Sequence, residues 1–195
     1  MSDEPDRPES DSGLDRRRFL GGALLATGVA AGLSLFSVVG TLRPREVFDP
    51  AREPPADGDP LVFAAGPNDG AIVTPADLGP ETPVLAFPQG KTGNRNNLVA
   101  LLRFDPGELV APTDPRATAQ GVVAYSAVCT HLGCIVGRHR DHPLFSPCHA
   151  GIFDPRAGAR VIGGPPPRPL PQLPIRIEGG RIVCAGGFLS PVGVV

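Results

Sequence analysis

The chain lacks an excess of charge of either sign: 18 Lys and Arg stand against 20 Asp and Glu, for a formal net charge of -2. Without a large basic surface there is little electrostatic footing for a phosphate backbone, so nucleic-acid binding has little support. Lysine is almost missing, with Lys91 alone among the basic residues, a bias of genome composition more than of function. Aromatic residues make up 5% of the 195 positions, with no Trp and one Tyr, whereas Gly and Pro number 25 each. A chain of that kind makes turns and short strands and few long soluble helices. Its apolar share of 41%, much of it Val, Ile and Leu, still suffices for a core. There is no internal repeat, and the length fits one globular domain with appendages. A phosphate loop is missing as well. The stretch QGKTGN at 89–94 contains Gly-Lys-Thr, but such a loop needs a glycine five positions before Gly90, where Leu85 stands.

Residues 1–15 are polar, with six carboxylates and no apolar periodicity, and read as a disordered tail. From Phe19 to Leu42 no charged residue occurs. As a helix this stretch would extend about 36 Å at 1.5 Å per residue, enough to cross a bilayer core of roughly 30 Å. The run Arg16–Arg18 before Phe19 and Leu20 resembles a twin-arginine export signal. Residues 1–18 are therefore expected to be a cytoplasmic tail with that signal, and 19–42 an uncleaved, single-pass transmembrane anchor in the lipid bilayer of the cell membrane. The following domain would then lie on the outer face. Residues 43–60, with five prolines and alternating charges, read as an extended hinge linker, reaching up to about 56 Å if wholly polyproline-like.

From Leu61 onward the signals are strands broken by turns, expected at 61–64, 71–74, 84–87, 98–104, 122–128, 134–137, 144–146, 152–154, 160–162, 173–177 and 181–185. The clearest is PIRIEGGRIVCA, which alternates apolar and polar residues around Gly179-Gly180, a hairpin signature. The fold class expected is all-β, an antiparallel sandwich or partly open barrel.

Three of the four cysteines, Cys129, Cys134 and Cys148, lie within twenty residues and interleave with His131 and His149. Cysteine clustered with histidine points to a metal site, a disulfide, or both. Cys129 and His131 are one residue apart and can point at one metal from a tight loop. Ser146 and His149 are spaced so that a turn brings both to one centre. Cys148 and His149 are adjacent, so their side chains diverge. Cys184 stands on an expected strand and reads as a buried free thiol, and His139 and His142 read as solvated residues of a polar loop.

The pair CTHLGC (129–134) and SPCHAGIFD (146–154) resembles the two boxes of the anchored, disulfide-bearing branch of Rieske iron–sulfur proteins, and GGPPPRPLPQLP (163–174) is similar to that family's proline loop. The resemblance implies a Rieske-type sandwich over 61–195, with a small cluster-binding part at about 126–154 and the proline loop at 163–171. It implies a [2Fe–2S] cluster held by thiolates on one iron and imidazoles on the other. Cys129 would be a thiolate ligand, His131 and His149 the imidazoles, and Cys134 and Cys148 a disulfide tying the loops. Closing that loop of 15 residues would stabilise the domain by about 3 kcal/mol. Leu132, Pro165, Pro166 and Pro167 would shield the cluster from water.

The chain departs from the pattern at the second thiolate position, which is Ser146. Serine as an alkoxide ligand, Cys148 released from the disulfide to ligate, and a domain without its cluster stay open as readings. The positions where the family often places hydrogen-bond donors to sulfur are Gly151 and Phe153. Neither side chain donates, which lowers the expected potential and suits a low-potential quinol such as menaquinol. The function implied is that of the electron-transfer subunit of a quinol–cytochrome c reductase, with cytochrome b-type and cytochrome c-type partners. His149 would accept the hydrogen bond and proton of the membrane quinol. Alternatives are a cluster-free, disulfide-stapled accessory subunit and the small Rieske subunit of an arsenite-oxidase-type complex.

Overall fold

Two apolar strands, each buried on both faces, set the architecture. In the computed structural model, which describes residues 12–41, 48–105, 107–139 and 141–194, strands β3 (Val99–Arg103) and β4 (Val122–Ser126) lie side by side, antiparallel, with Leu101 opposite Ala124. Because successive side chains on a strand point to opposite faces, the two strands feed two separate cores. Leu98, Ala100, Leu102, Phe104, Val123, Tyr125 and Ala127 enter one. Val99, Leu101, Val122 and Ala124 enter the other. Burial on both faces is why these strands read as nearly continuous apolar runs.

β1 (Leu61–Phe63) and β2 (Val84–Pro88) complete a four-stranded antiparallel sheet in the order β1-β2-β3-β4. A second four-stranded antiparallel sheet runs in chain order through β5 (Gly137–His139), β6 (His142–Ser146), β7 (Gly151–Asp154) and β8 (Arg160–Gly163). Its Leu144 and Phe153, with Val136 just before β5 and Ala159 just before β8, close the first core. The hairpin β9 (Ile175–Glu178) and β10 (Arg181–Cys184) closes the other with Ile175, Ile182 and Cys184. Gly179 and Gly180 turn that hairpin with φ of 55° and 79°, the paired positive angles that a two-residue turn of matching twist requires. The all-β class expected from the sequence is what the chain forms.

Two expected strands differ. Residues 71–74 contribute one isolated bridge, Ile72 to Val62, because Pro75 begins a short 3-10 turn there. The strand expected over 134–137 lies at Gly137–His139 instead, since Cys134 and Ile135 close the preceding loop through the bridge Val128–Ile135.

The N-terminal unit is a single helix, α1 (Ser12–Thr41), with no basic residue in its last turn. Its segment Asp15–Ser37 is long and apolar enough to cross a membrane, and the Arg16–Arg18 run lies within the helix. Of the expected linker 43–60, residues 43–47 lie outside the described residues. Residues 49–60 belong to the β domain as a docked strap. Asp49 caps a 3-10 turn at Pro50–Arg52. Gly93 N–H donates to Ala51 O at 2.8 Å, Lys91 Nζ to Pro54 O at 2.9 Å and Asp59 Oδ2 at 2.6 Å. The buried amide of Asn97 donates to Glu53 O at 2.7 Å and Lys91 O at 3.0 Å. The strap atoms held by Lys91 and Asn97 lie 32, 37 and 44 residues away in sequence, so local composition could not reveal them. Asn97→Ala leaves two carbonyls without their donor and is expected to cost about 1–3 kcal/mol. A lowered melting temperature with faster tryptic cleavage after Arg52 checks this, and a variant matching the parent in both contradicts it.

Candidate metal centre

The alternation of β4 runs on past the strand. After Val123, Tyr125 and Ala127, the next residue on that face is Cys129, a free thiol only 2% exposed and packed in the first core. The chain then turns sharply. Cys129 N–H donates to Cys134 O at 2.8 Å and Gly133 N–H to Cys129 O at 2.9 Å. Gly133 takes a φ of 74°, a conformation that only glycine adopts without strain. The loop 129–134 thereby pushes His131 and Leu132 outward, and Leu132 is 59% exposed.

The second loop is the β6–β7 connection. Ser146 and Gly151 are the last register pair of that ladder, and both are buried. Pro147, Cys148, His149 and Ala150 form the exposed turn between them. Cys134 and Cys148 are joined in a disulfide, with Cα atoms 6.4 Å apart. The imidazoles of His131 and His149 meet edge to face, with ring centroids 4.6 Å apart.

The proline loop covers this arrangement. Gly164, at φ 79°, brings its backbone onto Ala150 and Gly151, where a Cβ at 164 would stand 2.4 Å from Ala150 O. Pro166 is buried against Gly151, while Pro165 and Pro167 are exposed. A Cβ at Gly151 would stand 2.6 Å from Pro166 Cγ and 3.4 Å from Ser146 Cβ. Position 151 is therefore glycine because Pro166 occupies the space a side chain would need. Phe153 is 1% exposed and packs in the core with Cys129.

The donor set can be tested against a two-iron cluster. His131 Nδ1 is buried and has no hydrogen-bond partner, a costly state for a polar atom unless something binds it. Among the described residues no three His, Cys, Asp or Glu side chains converge on one point. A two-iron group takes different donors at its two ends. Cys129, His131 and His149 fit such a group. Ser146 offers oxygen where a thiolate would match better.

Other sequence candidates stand apart. Cys184 is buried in the second core, on the other face of β3 and β4 from Cys129, and burial pushes its thiol up to about 12. It is the buried free thiol expected. Burial likewise pushes the Tyr125 phenol up to about 12, and its hydroxyl donates to Pro155 O at 3.0 Å. His139 is exposed and stacks on Phe145 at 4.7 Å, while the side chain of His142 lies outside the described residues.

Sequence reasoning missed the groups that surround the loops. Thr130 Oγ1 donates to Arg168 O at 2.7 Å. A guanidinium nitrogen of Arg95 lies 3.3 Å from where a Gly133 Cβ would be. The one signal available was Arg168 itself, the only charged residue among the prolines of 163–174.

Residues 97–174 match the model of the Rieske [2Fe-2S] domain, a stretch holding both boxes and the proline loop. The chain is 36% identical over 148 residues to the putative respiratory nitrate reductase subunit Rieske of Haloferax mediterranei, covering 75% of this chain and 66% of that protein. It is 31% identical over 137 residues to the cytochrome bc1 complex Rieske iron-sulfur subunit of Streptomyces lividans, covering 65% and 81%. It spans only 39% of the corresponding Streptomyces coelicolor subunit. A chain of a hyperthermophilic respiratory Complex III aligns at 26% identity and a TM-score of 0.41, over 84% of this chain and 98% of that one. The protein belongs to the Rieske iron–sulfur family, whose domain carries a [2Fe–2S] cluster.

Gly151→Ser should force Pro166 out of its seat, at a cost of about 1–3 kcal/mol typical of overpacking. Pro166→Ala in the same chain should recover most of that loss. Thermal melts of the two single variants and the double variant check the coupling, and strictly additive losses contradict it.

Proposed function

We propose that this chain is the electron-carrying subunit of a quinol-oxidising membrane complex and hands its electron to a cytochrome c-type acceptor beside a cytochrome b-type subunit. The observation that carries the reading is the pair of imidazoles: His131 with a buried, unpartnered nitrogen, and His149 exposed beside it. When bound, the cluster supplies a one-electron couple close to the surface. His131 and His149 would hold one end of it and Cys129 the other. The imidazole nitrogen of His149 left free would accept the hydrogen bond of the quinol hydroxyl and then its proton, since histidine holds or yields a proton near neutral pH. Exposed Leu132, Pro165 and Pro167 would give the quinol ring and the partner surface an apolar seat, and buried Pro166 would keep water from the second loop. The helix Ser12–Thr41 would anchor the chain, with the Arg16–Arg18 end in the cytoplasm and the β domain on the outer face.

Ser146 completes the ligand set as an oxygen donor in this reading. Its burial at the end of β6 supports it, as does the commitment of Cys148 to the disulfide in an exposed turn. An oxygen ligand disfavours the reduced state, and neither Gly151 nor Phe153 offsets this with a hydrogen bond to sulfur. The potential should therefore lie near the lower end of the Rieske range, about −150 mV, where menaquinol is the fitting donor. The 36% identity to a nitrate reductase Rieske subunit favours a second reading, in which the electron goes to a terminal reductase on the same face.

The test is iron and sulfide content, with electron paramagnetic resonance, on the dithionite-reduced full chain in detergent, beside Ser146→Cys and Ser146→Ala. The expected result is a Rieske-type signal from the parent chain, a higher midpoint potential for Ser146→Cys, and loss of the cluster in Ser146→Ala. Iron in Ser146→Cys alone would overturn the reading and leave a disulfide-stapled domain without its cluster.

A further inference from the structure

The proline loop raises a problem of attachment. Residues 165, 166, 167, 169 and 171 are all proline and have no N–H to donate. Between Pro165 and Pro171 only Arg168 and Leu170 have a backbone donor. Leu170 N–H is used on Ala159 O at 3.2 Å. The loop's position over the two boxes must therefore be fixed mainly by its carbonyls and by its one long polar side chain.

At the far end Pro171 O accepts from Ser126 N–H at 2.8 Å, and over the first box Arg168 supplies both a carbonyl and the side chain. Its carbonyl accepts from Thr130 Oγ1 at 2.7 Å, and Thr130 lies between Cys129 and His131. Its guanidinium Nη2 donates to Gly193 O at 2.6 Å. Gly193 belongs to a C-terminal strap that runs on from β10. Phe188 packs on the second core, and Leu189 N–H donates to Gln172 O at 2.9 Å. Gly193 sits at φ 72°, where a Cβ would stand 3.5 Å from Val128, the residue before Cys129. Among the described residues the guanidinium pairs with no carboxylate, so its charge is spent on the strap carbonyl.

We infer that Arg168 is a positioning residue that clamps the proline loop between the first box and the C-terminal strap, and so keeps the loop closed over the metal centre. The strap does this through the arginine. The contact at Pro166 and Gly151 seals the second box, and Arg168 fastens the first. The inference concerns loop placement and holds for the protein with or without its cluster. Only its consequence for cluster lifetime rests on the function proposed above.

The test is hydrogen exchange on the cluster-free full chain in detergent, for the parent, Arg168→Ala, Arg168→Lys, a chain lacking residues 191–195, and that truncation combined with Arg168→Ala. Removing a charge-assisted hydrogen bond should lower protection of the Leu170, Cys129 and Gly133 amides by about tenfold or more, while the β9–β10 amides keep theirs. Arg168→Lys should recover most of the protection. The truncation should match Arg168→Ala, and the combined variant should add little. In cluster-loaded protein, loss of iron to a chelator should quicken in the same order. Unchanged protection in Arg168→Ala, a loss spread evenly over the domain, or additive effects of the two changes would overturn the clamp. If Arg168→Ala does not accumulate, the truncation and Arg168→Lys decide the question: parent-like protection in the truncated chain overturns it. A chain that never takes up iron would contradict the proposed function and leave the exchange result standing.

Discussion

Everything in this domain depends on two short loops from different sheets being held face to face. One leaves β4 of the first sheet, and the other joins β6 to β7 of the second. The core between the sheets brings their ends together, and the Cys134–Cys148 disulfide ties the loops across the gap. Without that tie, Cys148 and His149 would sit in an exposed turn with nothing to fix them. Prolines cover the loops because a segment without donors leaves no unsatisfied N–H groups where it crosses the site. Its own fastening then falls to glycines that permit close approach and to one arginine.

Placement of the first thiol of the boxes follows from strand periodicity. Cys129 lies on the inward face of β4's register, two residues beyond Ala127 and four beyond Tyr125, so the core that stabilises the sheet also orients the thiol. Position 146 is set in another way, by pairing of Ser146 with Gly151 across β6 and β7. Backbone pairing fixes position 146, so oxygen in place of sulfur on its side chain leaves both frames as they are. That is why a hydroxyl can stand there in a domain whose disulfide, paired imidazoles and covering loop are all in place.

Much of this was legible in the sequence, and the reasons differ by element. Apolar runs marked β3 and β4, alternation marked the β9–β10 hairpin, and the Cys and His of the two boxes, through their resemblance to the Rieske pattern, marked the candidate site. The 71–74 stretch has strand-like composition but ends at Pro75, so it makes one bridge and no strand. The linker's composition suggested a free tether over 43–60, yet residues 49–60 are docked by Lys91 and Asn97. Those contacts span roughly forty residues and leave no local trace. The reach of Arg168 to Gly193 is hidden for the same reason, and the closeness of Pro166 to Gly151 shows only in three dimensions.

In the function proposed, Cys129 and Ser146 would hold one iron and His131 and His149 the other. Mössbauer spectroscopy of the full chain loaded with iron-57 tests it most directly. The account predicts two unequal iron environments in equal amount, one with nitrogen donors and one with mixed sulfur and oxygen donors. Two like environments, or a spectrum without protein-bound iron, would contradict it.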